Sequence, residues 1–140
     1  MKNEAKKIQA WAITAEENYS HARDHEHLRA QITAILVAAA FVLIGLAIDK
    51  QSANSTLVYI AISAIAIGII NVHLVRIHNN RFDRHVEIAR NAKSQIATLK
   101  EYKPTLEKKF SLSAAWIIVA SLPIIAGTGL IALVLFKIHT

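Results

Sequence analysis

Glu17, His21 and His25 fall four residues apart, with His27 close by, in a chain that carries seven histidines among 140 residues. On a helix that spacing puts the three on one face. Two imidazoles four apart can share a divalent metal, and a carboxylate can complete the set. The chain has no cysteine and no HExxH pattern, so the stronger reading is a solvated helix face, and no metal or cofactor is assigned. Each of these histidines can still change charge between about pH 5 and 8. No phosphate-binding glycine loop, nucleophile elbow or pair of catalytic carboxylates is present. Gly127-Thr128-Gly129 lies inside an apolar run and does not follow a strand. No catalytic residue is assigned, and the sequence reads as a non-enzyme.

Polar and small residues inside apolar runs form the second group. Ala61, Ala64, Gly68, Asn71 and His78 recur in steps of three, four, three and seven. Such steps keep them on one helical face, where small residues admit a neighbouring backbone and an Asn amide can hydrogen-bond across the contact. That face serves packing within one subunit, or else lies between subunits or along a pore. Further on, Ser113, Ala120 and Gly127 recur every seven residues, each followed by a second small residue (Ala114, Ser121, Thr128). Their hydroxyls either bond their own helix's carbonyls or line a narrow wet path. Ser121 and Thr128 would then be polar stations between apolar rings such as Ile124 and Ile131, which gate by dewetting. Ser121, Ile124, Gly127, Thr128, Ile131, Gly68 and Asn71 are therefore the candidates for pore lining or helix contact. His73, Arg76 and His78 are the ionisable candidates near the inner boundary, where such residues mark function or bond water and headgroups.

These residues need long helices to position them. Hydrophobic residues make up 54% of the chain, above the roughly 45–50% of a soluble domain. The expected fold is an all-α integral membrane protein with three spans in one domain. Residues 1–31 lack Gly and Pro, and Ile8, Trp11, Ala15, Tyr19 and Ala22 follow helical spacing, so they read as an amphipathic helix. Trp11 and Tyr19 sit either at the headgroups or against the linker helix. The first span covers 32–48, rising about 25 Å, enough to cross hydrocarbon. A polar turn at 49–56 leads to the second span at 57–75, an antiparallel hairpin. In the segment 76–111, Phe82, Val86, Ala89, Ala92, Ile96 and Leu99 continue the helical spacing, and Pro104 breaks it. The third span covers 112–136, longer than a bilayer needs, with Pro123 as its kink point. A short tail, 137–140, ends the chain.

The segment 76–111 also sets topology. Between Arg76 and Lys109 nine basic residues face four acidic ones, a net +5 out of the chain's +6. Lys and Arg beside spans are retained in the cytoplasm. Residues 1–31 and 76–111 are thus expected inside and the 49–56 turn outside, in a multi-pass protein of the inner membrane with a cytoplasmic N-terminus. The basic balance suits anionic headgroups better than nucleic acid.

The charged helix with Arg29 before the hairpin, and His78-Asn-Asn-Arg81-Phe-Asp-Arg-His85 after it, resemble the small bacterial membrane effectors grouped as SLATT proteins. The resemblance is architectural and spans Tyr19 to about Leu99. It implies a two-helix hairpin flanked by long cytoplasmic helices, in an effector that perforates the membrane when a nucleotide-linked phage-defence system is triggered. The third span lies outside that two-span pattern, and no functional residue is carried over. Since three helices enclose no pore, conduction requires a homo-oligomer. The leading expectation is an oligomeric pore-forming or channel-like protein of this effector class. The alternative is a non-conducting anchor or scaffold whose cytoplasmic helices dock a partner, such as a regulatory protein. The topology predicts that Ser52→Cys is labelled by a membrane-impermeant thiol reagent in intact cells and Ser94→Cys is not. Equal labelling would sink the three-span arrangement.

Overall fold

The computed structural model describes residues 2–49, 53–100 and 112–139, with side chains at 3–49, 53–96 and 113–136. The described residues form three helices: α1 (Lys2–Asp49), α2 (Asn54–Lys100) and α3 (Leu112–His139). All three are long and apolar enough to cross a membrane. Residues 1–31 and 32–48, distinct segments by composition, join into the single helix α1 because nothing between Lys2 and Asp49 interrupts the backbone ladder. The second span likewise continues as helix to Lys100. The break expected at Pro104 lies outside the described residues, as do residues 50–52 of the expected polar turn 49–56. Asp49 ends α1 and residues 54–56 already belong to α2, so the helices reach further into that turn than the sequence suggested. Pro123 sits inside α3 without ending it.

The chain divides into two compact units. One comprises Arg29–Arg76 with Ser111–Thr140. Small side chains make up much of its interior, with Ile44, Val75, Leu130 and Val134 as larger buried members. Ala40, Ala61, Ala64 and Ala120 are fully buried, while Ile35, Val42, Ile69, Ile118, Ile125 and Leu133 face outward. Only 22–28% of each apolar helix window is buried. This inverts the water-soluble plan, in which large aliphatics are the residues most often hidden. It suits lipid, where association depends on close backbone approach.

Burial follows the seam. On α3 the interior positions run Ser113, Trp116, Ala120, Pro123, Gly127, Leu130 and Val134, in alternating steps of three and four. On α2 the same steps run Ala61, Ala64, Gly68, Asn71 and Val75. These are seven-residue repeats, the spacing of left-handed helix packing. On α1 the spacing differs: Arg29 and Thr33, then Ala40 and Ile44, place equivalent buried pairs eleven residues apart.

Two glycines lock α2 to α3. A Cβ on Gly127 would come within 2.7 Å of the Ala61 carbonyl oxygen, and one on Gly68 within 2.9 Å of the Ile124 backbone nitrogen. Backbone atoms cannot rotate away. Gly45 and Gly129 have open space around the equivalent point.

The other unit comprises Met1–Leu28 with Ile77–Phe110. It is an antiparallel pair closed over Ala15, Ala22, Ala89 and Ala92, all nearly inaccessible. Tyr19 packs against α2, its ring 4.6 Å from the Lys93 ammonium, whereas Trp11 is 40% exposed.

Gly127→Ala is predicted to destabilise the protein by about 1–3 kcal/mol through overpacking, outweighing alanine's helix preference of about 1 kcal/mol. Gly45→Ala, with room for the methyl, is predicted neutral or stabilising. Urea unfolding in detergent micelles checks both, and equal effects would remove the close-approach argument.

Candidate functional site

Asn71 is fully buried, and neither its amide nitrogen nor its oxygen has a hydrogen-bond partner. Thr33 is 1% exposed, and its hydroxyl is also unpartnered. The register sets the two at about the same level along the unit, without a hydrogen bond between them. Ala40 and Ala64 share one core cluster. Thr33 lies seven residues back from Ala40 on α1, and Asn71 seven residues on from Ala64 on the antiparallel α2. Both moves run the same way by about 10 Å. On α3 the equivalent step from Gly127 reaches Ala120, which is fully buried and has no polar side chain. The result is a polar layer within an apolar three-helix unit, each unmet group costing about 1–3 kcal/mol.

Arg29 and Trp116 lie further along the same unit. The Arg29 side chain is 2% exposed, and its guanidinium carbon is 5.2 Å from the Trp116 ring centroid. That distance is within cation–π range.

The α3 hydroxyls are spent locally. Ser121 Oγ donates to the Ile118 carbonyl at 2.7 Å, and Thr128 Oγ1 donates to the Ile124 carbonyl at 2.8 Å. Gly68, Ile124 and Gly127 lie at the α2–α3 contact, where Gly127 also meets Ile65. Ile131 is packed against the core cluster, so these positions touch one another within a single chain. Thr128 and Gly129 face outward.

His73 and Arg76 are exposed. His78 belongs to a histidine cluster on the other unit. His25 Nδ1 and His78 Nδ1 are 3.3 Å apart, and His85 Nδ1 donates to Asn18 Oδ1 at 2.9 Å. Ring centroids separate His21 from His85 by 5.3 Å and His25 from His85 by 5.5 Å. The Glu17–His21–His25 face is thus not simply solvated, because α2 brings His78 and His85 to it. His25 is held below the ordinary imidazole value by its burial first, then by the charges of His78, His85, Arg81 and His21. Among the described residues no group of three or more His, Cys, Asp or Glu could hold a metal. The available chemistry is proton exchange.

Sequence reasoning placed Asn71 and His78 on one seam and missed Thr33 and the Arg29–Trp116 pair. Thr33 carries no seven-residue signal, because the buried positions of α1 repeat every eleven residues. No protein-family model, curated protein or solved structure matches the chain.

Thr33→Val and Asn71→Leu are predicted to stabilise the folded protein by about 1–3 kcal/mol each, since they replace unmet polar groups by apolar ones of similar branching. Unfolding in detergent measures this. Destabilisation by both would mean that the layer is satisfied after all.

Proposed function

We propose that the protein is an oligomeric, pore-forming or channel-like protein of the bacterial inner membrane. The observation that carries this reading is the Asn71–Thr33 layer, a set of buried polar atoms that the closed subunit leaves unmet. Such a cost is retained where function needs it, and a wetted state of the assembly would satisfy it. The outward Thr128–Gly129 stretch supports self-association, because small residues admit a neighbouring helix. Orientation follows from charge, with residues 1–31 and the basic 76–111 segment in the cytoplasm. The resemblance to SLATT effectors makes membrane permeabilisation during phage defence the matching role, with a cytoplasmic regulatory protein as trigger.

A scaffold is the second reading. It is favoured by a groove of about 700 Å³ in the helix-pair unit, lined by Ala15, Tyr19, Phe82, Val86 and Ile96 with Glu16, Arg23 and Lys93 at its edge. That surface offers a docking helix an apolar floor and charges of both signs.

Planar-bilayer recordings of purified protein separate the two. Conductance is expected for the wild type and at least a tenfold loss for Asn71→Leu, although that variant is the more stable protein. Thr128→Val is expected to lower the leak only if α3 also lines the path, and Ile124→Ser to raise it. Silence from every variant with the natural trigger present would favour the scaffold.

A further inference from the structure

The histidine cluster takes no part in the function proposed above. It sits in the helix-pair unit, and it joins the two helices through the His25–His78 contact and the His85–Asn18 bond. The 3.3 Å approach of His25 Nδ1 to His78 Nδ1 is a hydrogen bond only if one ring carries the proton there and the other offers its lone pair. The rings of His21 and His85 are packed around this pair. The charges that lower His25 are basic: His21 on its own helix, and His78, Arg81 and His85 from α2.

We propose that His25 and His78, with His21 and His85 around them, form a proton-operated latch that holds the helix pair closed at neutral pH and releases it in mild acid. The chemistry is two protons. Above the transition, a neutral Nδ1–H of one ring donates to the bare Nδ1 of the other. A first proton on the donor ring's free Nε2 leaves that bond in place. A second, taken up by the acceptor's Nδ1, leaves two N–H groups facing each other, so the bond is lost and two cations stand in contact. Arg81 and any protonation of His21 or His85 add to the repulsion. The His85–Asn18 bond behaves differently, because its acceptor is a carboxamide oxygen that keeps its role whether or not the ring is charged. The latch is therefore the His25–His78 pair, with His85 as a fixed neighbour.

The sign follows from His25. Its folded value lies below its unfolded one, so the unfolded helices bind protons first as pH falls. Closure is complete above about pH 6.5, the ordinary imidazole value. It weakens as pH drops from there toward the folded value.

The chain's lack of cysteine makes the measurement direct. Spin labels at Ser20→Cys and Glu87→Cys, both on exposed positions of the two helices, report their separation in the full-length protein in lipid nanodiscs, with chelator present. A narrow distance distribution is expected at pH about 7.5, and a broader, longer one at pH about 5, reversibly. The pair variant His25→Gln, His78→Gln should stay narrow at both. Should that variant be broad throughout, His21→Gln supplies the test, since removing one basic neighbour should move the opening midpoint to lower pH. His27→Gln, on a histidine outside the cluster, should change nothing. Identical wild-type distributions at both pH values would overturn the proposal. So would an opening that neither His25→Gln, His78→Gln nor His21→Gln shifts, or one that His27→Gln abolishes.

Discussion

Close approach of helix backbones is the constraint on which the three-helix unit depends. The Gly127 Cα stands so near α2 that a single added carbon would meet the Ala61 carbonyl at 2.7 Å. Nothing larger than alanine occupies the seam at Ala40, Ala61, Ala64 or Ala120. Between apolar helices in lipid there is no gain from hiding hydrocarbon, because the tails outside are as apolar as the interior. Contact must come from dispersion, and dispersion falls off steeply with distance. Most large side chains therefore point away and small ones fill the closest contacts, with Ile44, Val75, Leu130 and Val134 as the larger residues that point in.

That arrangement makes the polar residues of the interior conspicuous. A layer containing Asn71 and Thr33 sits where Ala120 offers it no partner. The fold would lose nothing sterically by carrying Val and Leu there. The histidine pair of the other unit contrasts with it, because those side chains do meet partners, and their energy depends on the solvent's acidity. The first group is unmatched at any pH, whereas the His25–His78 bond is lost once both rings are charged.

Much of α2 could be read from its letters. Ala61, Ala64, Gly68, Asn71 and His78 stand out because small and polar residues interrupt a run of Ile and Val at regular intervals. The fold class and the length of α2 followed from composition and from the absence of Gly and Pro after Gly68 up to Pro104. The α1 seam was harder. Its buried positions repeat every eleven residues, as in Ala22, Thr33 and Ile44, so a search for sevens misses Thr33. The partnership of His25 with His78 lay beyond any single-helix pattern. It depends on the register of two antiparallel helices, which a pattern along one helix does not contain. Arg29 beside Trp116 joins residues 87 positions apart, which periodicity cannot connect.

The unbroken repeat of α2 also governs which changes in chain length this helix can absorb. Gly68, Asn71, Val75 and His78 keep one bearing around the axis because each step closes a half-heptad. Inserting one residue between Gly68 and Asn71 would turn everything beyond it by about 100°, carrying Asn71 and Val75 off the contact line of their unit. Adding or deleting seven would restore the bearing almost completely. A length change of seven residues should therefore disturb this helix far less than a change of one.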